Sequence, residues 1–172
     1  MDVLKKAIRD VPDFPHEGIL FKDITPVLND AALLDRALAM MWPSIDDETA
    51  IDKIIGIESR GFIFGTPMAD RRKIGFVPVR KPGKLPHETY SETYELEYGQ
   101  DALEIHKDAI EKDEKILIVD DLLATGGSAE AVCKLVETMG GEIVGVSVLV
   151  ELSFLNGREK LPGYRVESVI QF

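Results

Sequence analysis

The sequence predicts an α/β fold in which a mainly parallel central sheet is flanked by helices. Three short apolar runs carry this prediction, at residues 54–57, 76–80 and 116–119. They are rich in aliphatic and β-branched residues, which is typical of strands buried on both faces of a parallel sheet. Stretches with helical spacing lie between and after these runs, and strands that alternate with helices favour parallel βαβ units.

The N-terminal region begins with a predicted short helix at residues 3–9 and continues into a proline-rich segment. Pro12, Pro15 and Pro26 exclude a continuous helix, so we expect an irregular flap with little regular structure. Helical periodicity returns at residues 31–42 and ends at Pro43.

The middle of the chain carries the first predicted βαβ unit, with strands at 54–57 and 76–80 around a helix at 62–73. Residues 82–101 are then polar, and we expect a mobile excursion from the sheet. Within it, the alternation at 89–97 could form a hairpin, although it has little to bury. Regular structure resumes at residues 103–106.

The C-terminal region continues the same alternation. We predict a strand at residues 116–121, a helix at 128–139 and strands at 143–152 and 166–170. No repeat, low-complexity tract or convincing linker interrupts the chain, so residues 1–172 are predicted to form a single domain.

Composition narrows the function classes. The 172 residues carry a formal net charge of −11, which argues against nucleic acid as the main partner. No apolar run approaches the roughly 20 residues of a membrane span, and the N-terminal segment has no apolar signal region, so a cytoplasmic protein without a membrane partner is expected. Cys133 is the only cysteine, which excludes an intrachain disulfide, and it is predicted to lie in the core.

Residues 116–128, ILIVDDLLATGGS, contain the most informative motif. Asp120 and Asp121 come at the carboxyl end of a predicted strand, where open α/β sheets bind ligands. The next residues form a glycine-rich loop that opens a helix: Ala124, Thr125, Gly126, Gly127 and Ser128. Free backbone N–H groups and the helix dipole suit a phosphate, while the acids can accept hydrogen bonds from ribose hydroxyls. A sugar phosphate could bind to the glycine-rich loop through its phosphate and to the two acids through its hydroxyls.

Structural explanations of these features stay open. A Gly-Gly pair after a strand is often only a tight turn, and an Asp pair often only caps the next helix. Residues 71–84 are locally basic within an acidic chain. A polyanionic small molecule would explain them, and so would a solvated basic patch.

Several motifs together carry a family resemblance over nearly the whole chain. They are GILFKDITP near the start, ESRGFIFG at 58–65, RKPGKLP at 80–86, YELEYG at 94–99, VDDLLATGGS at 119–128 and LVEL at 149–152. The sequence resembles the adenine phosphoribosyltransferases, a type I phosphoribosyltransferase family of purine salvage. The resemblance implies transfer of a phosphoribosyl group from 5-phosphoribosyl 1-diphosphate (PRPP) to N9 of adenine, which gives AMP and diphosphate with Mg²⁺. It also implies a homodimer, an N-terminal hood over residues 1–30 and a flexible catalytic loop at 82–101.

The resemblance assigns roles to the motif residues. Asp120 and Asp121 would hold the ribose 2- and 3-hydroxyls, and residues 124–128 would bind the 5-phosphate. The implied diphosphate-binding residues are Ser59, Arg60, Arg80, Lys81, Lys84 and His87. The basic residues at 80–84 resemble a cluster that can reach across a dimer interface. Magnesium would be held mainly through substrate oxygens, with no dedicated protein ligands. A non-proline cis bond is expected between Glu58 and Ser59.

The purine base is inferred from Ala124 and from the loop. Type I enzymes for 6-oxopurines usually carry an acid at the position of Ala124, so another group must handle the proton on N7 here. The resemblance points to Glu97, beside Tyr98 in the mobile loop. A carboxyl group that is desolvated on loop closure could donate a proton to N7. Glu92, Glu95 and Glu97 are otherwise ordinary loop acids.

The hood is expected to form the adenine pocket, with Phe21 near the base and the backbone of Leu20 to Lys22 reading its edge. Phe21 as plain core packing is the alternative. Lys22 stands where many relatives have arginine, and lysine lacks the planar, bidentate geometry of a guanidinium group. His16 is expected to be exposed and His106 to be structural.

Two other functions compete with this one. The same fold could use hypoxanthine, guanine or xanthine, against which Ala124 and the YELEYG segment count. A PRPP-sensing regulator without turnover would normally need a DNA-binding module, for which 172 acidic residues leave no room.

Overall fold

A computed structural model describes residues 2–43, 50–96 and 99–172. The helices within these ranges are α1 (Asp2–Ala7), α2 (Thr25–Asn29), α3 (Ala31–Met41), α4 (Gly61–Arg72) and α5 (Gly127–Met139). The strands are β1 (Arg9–Pro12), β2 (Leu20–Asp23), β3 (Lys53–Ile57), β4 (Gly75–Val79), β5 (Thr89–Leu96), β6 (Gly99–His106), β7 (Lys115–Leu123), β8 (Glu142–Glu151) and β9 (Val166–Gln171). Short 3₁₀ helices at Ser153–Leu155 and Gly157–Lys160 connect β8 to β9.

The central sheet has five strands in the order β4-β3-β7-β8-β9, and every neighbouring pair is parallel. Its side chains alternate between two cores. Ile55 and Ile118 pack on one face with α5 and the β5–β6 hairpin, whereas Ile54 and Leu117 pack on the other with α1 to α4. The predicted parallel sheet with helices on both faces is confirmed.

The strand order reverses between β3 and β7. From β3 the chain crosses to β4 on one side, and from β7 it crosses to β8 and then β9 on the other. The loops that leave the carboxyl ends of β3 and β7 therefore diverge, which opens a crevice between them. Ligands of open α/β sheets bind at such a switch point.

The expectation of an irregular N-terminal flap is wrong. Helix α1 ends at Ala7, β1 and β2 form an antiparallel hairpin, and α2 follows. The prolines fit these elements because each occupies a tolerated position: Pro12 ends β1, and Pro26 lies in the first turn of α2. Proline therefore excluded the long helix but not regular structure.

The hairpin that the alternation at 89–97 suggested is present, and its second strand extends beyond the polar segment. Strands β5 and β6 pair over eight residues each, from Thr89↔His106 to Leu96↔Gly99. Leu103 and Ile105 of β6 are buried in the core beside α5. The apolar residues that stabilise the hairpin lie in its second strand, beyond the polar stretch. Glu97 and Tyr98 lie outside the described residues.

The other predicted elements are confirmed to within about two residues. Strand β7 continues past the two acids to Leu123, two residues beyond its predicted end at residue 121. The two 3₁₀ helices were not predicted. Cys133 is buried, as expected, and His16 is exposed. No helix in the described ranges combines the length and the apolar character needed to cross a membrane.

Candidate active site

A cavity of about 350 Å³ lies at the switch point of the sheet. Three chain segments form most of its wall: the loop after β3, the end of β7 and the glycine-rich loop that opens α5. The β5–β6 hairpin adds Tyr94 and Leu103. The cavity is therefore lined by the motifs at 58–60 and 120–128, which are far apart in the sequence.

The glycine-rich loop has the geometry of an anion site. Gly126 has a φ of +83°, a conformation that favours glycine, and Gly127 is the first residue of α5. No side chain of the described residues caps this helix start. Its N–H groups, together with the positive end of the helix dipole, can therefore bind a phosphate.

Tyr94 contacts this loop from the side of the hairpin. A Cβ atom at Gly127 would lie 3.1 Å from Tyr94 Cδ2 and 3.2 Å from the carbonyl oxygen of Glu95, so the glycine allows a close approach. The Tyr94 hydroxyl donates to Asp101 Oδ2 at 3.4 Å. Burial and the nearby Asp101 charge raise the pKa of Tyr94 to about 12, which keeps it a neutral donor.

The two acids of β7 face the cavity in different environments. Asp121 is 4% exposed, and its Oδ2 lies 2.6 Å from Arg60 Nε. Asp120 Oδ1 accepts a hydrogen bond of 2.8 Å from the Asp121 N–H. Burial, and then the charge of Asp121, raises the pKa of Asp120 well above its ordinary value. Asp120 therefore holds its proton more tightly than an ordinary aspartic acid.

We expect Asp120→Asn to raise the Tm of the unliganded protein at pH 7. The folded state binds the Asp120 proton more tightly than the unfolded chain, so wild-type stability falls as the pH rises above the unfolded pKa. Each kcal/mol recovered corresponds to about 2–4 °C for a chain of this size. The difference in Tm between Asp120→Asn and the wild type should narrow as the pH falls toward about 4, the ordinary pKa of an aspartic acid.

Differential scanning calorimetry across this pH range would test the prediction. Asp70→Asn is a suitable control because Asp70 is exposed in an i,i+3 pair with Lys73. A Tm for Asp120→Asn at or below that of the wild type at pH 7 would contradict it.

The loop after β3 holds the predicted diphosphate residues Ser59 and Arg60, and both line the cavity. The Glu58–Ser59 peptide bond is cis, which confirms the expectation. Helix α4 begins directly after Arg60, and Gly61 allows β7 to approach: a Cβ there would lie 2.6 Å from the Val119 carbonyl oxygen. The Arg60 side chain is 49% exposed, so it can reach a ligand as well as Asp121.

Arg80, Lys81, Lys84 and His87 lie outside this cavity wall. Glu58 organises the first two: it accepts bonds from the Arg80 guanidinium at 3.1 and 3.3 Å and from the Lys81 N–H at 2.7 Å. Burial alone would raise the pKa of Glu58, but these donors lower it below its ordinary value. Glu58 therefore stays charged and ties the basic segment to the cavity edge.

The remaining basic residues project from the same region. Lys81 Nζ lies 2.7 Å from Asp101 Oδ2, while Lys84 is exposed. The His87 N–H lies 3.4 Å from His106 Nε2, which gives His106 a structural contact.

The hood residues also lie outside the cavity wall. Leu20, Phe21 and Lys22 belong to β2, and the Phe21 ring packs edge-on against Phe14 with 5.1 Å between centroids. Lys22 Nζ lies 2.6 Å from Asp10 Oδ1 and 4.0 Å from the centre of the Phe172 ring. Its side chain is thus held by structural contacts.

Two cavity features were missed from the sequence. Tyr94 belongs to the alternating segment at 89–97, for which a hairpin was suggested but no part in the cavity wall. Leu122 and Leu123 line the cavity as a consequence of β7 continuing past the acids.

Comparisons with known proteins agree with this geometry. The Phosphoribosyl transferase domain family matches residues 25–169. The chain belongs to the phosphoribosyltransferase family. A phosphoribosyltransferase from Acetivibrio thermocellus, named adenine phosphoribosyltransferase, is 56% identical over 169 residues, which cover 98% of this chain and 99% of the relative.

Solved structures of phosphoribosyltransferases share the fold. The crystal structure of adenine phosphoribosyltransferase from Thermoanaerobacter pseudethanolicus has a TM-score of 0.95 at 53% identity and covers 99% of both chains. The enzyme from Saccharomyces cerevisiae, complexed with an imino-altritol bisphosphate and adenine, has a TM-score of 0.93 at 43% identity, with 98% of this chain and 97% of that chain covered.

Proposed function

We propose that this phosphoribosyltransferase transfers the 5-phosphoribosyl group of PRPP to N9 of adenine, which gives AMP and diphosphate. The observation that carries the proposal is the single cavity in which the acid pair, the glycine-rich loop and Arg60 converge. Its relatives named adenine phosphoribosyltransferase, at 54–56% identity, support adenine as the base.

The reaction breaks the bond between C1 of the ribose and the diphosphate oxygen and forms a bond between C1 and N9. Diphosphate leaves with the electron pair, so positive charge develops on the ring and negative charge on the leaving group. Asp120 and Asp121 would bind the 2- and 3-hydroxyls and lie near the positive ring. Arg60, already beside Asp121, would bind the departing diphosphate.

The phosphate loop would hold the other end of the sugar. N–H groups of residues 124–128 would bind the 5-phosphate, which fixes C1 near the acids and Arg60. Ala124 presents only a methyl group to this cavity. With no acid at that position, the proton of the base must be handled elsewhere.

We propose Glu97 for that proton. Neutral adenine loses one proton when N9 bonds to C1, so AMP synthesis needs Glu97 as the acceptor of that proton. The donation to N7 that was expected from the sequence applies only to the reverse reaction. In the sequence, Glu97 comes directly after β5, the strand whose Tyr94 contacts the phosphate loop. Tyr98, next to Glu97 in the sequence, is proposed as part of the same catalytic loop.

Glu97→Gln is expected to lower kcat with adenine by about 100-fold, at the low end of general acid–base contributions. Steady-state rates of AMP formation would measure it. Glu92→Gln is a matched control on β5, because Glu92 lies 3.8 Å from Lys134 and does not line the cavity. Unchanged turnover in Glu97→Gln would remove the assignment.

We propose Mg²⁺ as the cofactor, held mainly by PRPP. Within residues 2–43, 50–96 and 99–172, no three His, Cys, Asp or Glu side chains group closely enough to hold a metal. The ribose and diphosphate oxygens are hard ligands of the kind Mg²⁺ prefers. Asp120 and Asp121 would hold the metal-bearing sugar through its hydroxyls. When bound, Mg²⁺ supplies neutralisation of the diphosphate charge.

A homodimer is proposed because the basic residues at 80–84 and His87 lie outside the cavity of their own chain, from which they could serve the diphosphate of a neighbouring copy. Light scattering should give the mass of two chains, and a monomer at assay concentration would contradict this.

The hood at β2 is proposed to supply the adenine pocket through Leu20, Phe21 and Lys22. A cytoplasmic location stays a prediction that cell fractionation would test.

One assay tests the proposed function. The purified protein is incubated with PRPP, Mg²⁺ and each of adenine, hypoxanthine, guanine and xanthine, and nucleotide products are separated by chromatography. AMP from adenine is the expected product. Absence of AMP would contradict the proposal, faster reaction with a 6-oxopurine would change the base, and PRPP binding without turnover would indicate a regulator.

A further inference from the structure

The segment behind the phosphate loop contacts it through backbone atoms. This segment, residues 153–160, contains the two 3₁₀ helices, and we call it the buttress. A Cβ atom at Gly157 would collide with the Ala124 carbonyl oxygen and lie 3.1 Å from the Gly126 nitrogen. A Cβ at Gly126 would in turn collide with the Gly157 carbonyl oxygen. The two glycines therefore let the loop and the buttress touch.

A bidentate ion pair holds the buttress on the sheet. Arg158 Nε and Nη2 donate to Glu151 Oε1 and Oε2, each at 2.7 Å, and Arg158 Nη1 donates to the Val166 carbonyl at 2.7 Å. Ser168 Oγ and Gln171 Nε2 also bind Glu151 Oε2, at 2.5 and 3.2 Å. Glu151 is the last residue of β8, so the pair joins the buttress to β8 and β9.

Glu151 is a charged group where a buried side chain is usually apolar. It is 5% exposed, yet hydrogen bonds from Arg158 lower its pKa, so the carboxylate stays ionised at neutral pH. Burying the charges of such a pair costs desolvation free energy. Its two parallel hydrogen bonds restrict the orientation of Arg158 relative to Glu151. Neither side chain lines the substrate cavity.

We infer that Glu151 and Arg158 are positioning residues that hold Gly157 against the phosphate loop and thereby orient the loop N–H groups for the 5-phosphate of the substrate. The inference rests on the proposed function. Its physical basis is that hydrogen bonds to phosphate depend steeply on geometry, and a displacement of 1 Å from a distant substitution can cost about 100-fold.

Calorimetric titration with ribose 5-phosphate would test the inference directly. Glu151→Gln is expected to raise the Kd for ribose 5-phosphate by about 10- to 100-fold, and to raise the KM for PRPP while the KM for adenine is unchanged. Arg158→Lys keeps the charge but loses the bidentate geometry, so it should have an intermediate effect. Glu114→Gln is the control. Glu114 forms a partly exposed ion pair with Lys53 at 2.7 Å, and this pair lies at the opposite end of the sheet from the phosphate loop.

Gly157→Ala provides a second variant in case Glu151→Gln folds poorly. It leaves the ion pair intact and adds only a methyl group against the loop, and it should weaken ribose 5-phosphate binding to a similar degree. Gly75→Ala is its control, since the three atoms nearest to the new methyl group all belong to the flexible Lys53 side chain, the closest at 3.1 Å. Thermal unfolding of each variant would separate loss of fold from loss of binding.

Unchanged ribose 5-phosphate affinity in Glu151→Gln and Gly157→Ala would overturn the inference. An equal loss of affinity for adenine would also overturn it, because it would indicate a general structural role. Failure of the proposed function is a distinct result: the wild-type protein would then form no AMP, whatever its affinity for ribose 5-phosphate.

Discussion

Replacing Asp121 with asparagine is expected to lower kcat/KM for PRPP by about 1,000-fold, at the upper end of the effect of removing one charge-stabilising group. The carboxylate binds Arg60 at 2.6 Å and is almost fully buried at the cavity wall. Asparagine would remove the charge that faces the developing positive ring, and would release Arg60 from its position. Both effects act on the transition state.

Initial rates at varied PRPP and saturating adenine would measure this loss. Asp70→Asn, on the exposed side of α4, is the matched control and should leave the rates unchanged. Circular dichroism would show whether the fold is retained. A loss of less than tenfold in a folded Asp121→Asn protein would contradict the role given to this carboxylate.

Gly126→Ala is expected to have a similarly large effect, about 1,000-fold on kcat/KM for PRPP, because it disturbs several phosphate-binding N–H groups at once. The alanine must adopt a φ near +83°, and its methyl group would collide with the Gly157 carbonyl oxygen. The loop can relieve the collision only by moving away from the buttress. Ribose 5-phosphate titration and initial rates would both report the loss.

Gly163→Ala separates the effect of the positive φ from the effect of the collision with the buttress. Gly163 has a φ of +85°, but no atom lies within 4 Å of a Cβ built there. This control therefore has the backbone strain without the collision, and it should lower the Tm slightly with no change in rate. If Gly163→Ala and Gly126→Ala were equally active, contact with the buttress would have no role in phosphate binding.

The phosphate-loop motif could be predicted because its parts are adjacent in the chain. An apolar run, two acids and a glycine turn before a helix specify their own local structure through backbone preference and side-chain alternation. The same local rules failed at β1 and β2, where the prolines were taken to leave little regular structure. They did not identify the buried residues of the β5–β6 hairpin, which lie past the polar stretch.

The sequence by itself determined the α/β class, the order of the strands and helices that form the central sheet, and the family to which the motifs belong. Only the tertiary structure decided that β3 and β7 are neighbours, which brings Arg60 to Asp121, and that Gly157 lies against the phosphate loop. The physical reason is that local structure follows from residues a few positions apart. Contacts between distant segments depend instead on how the sheet orders its strands and on how both of its faces are packed.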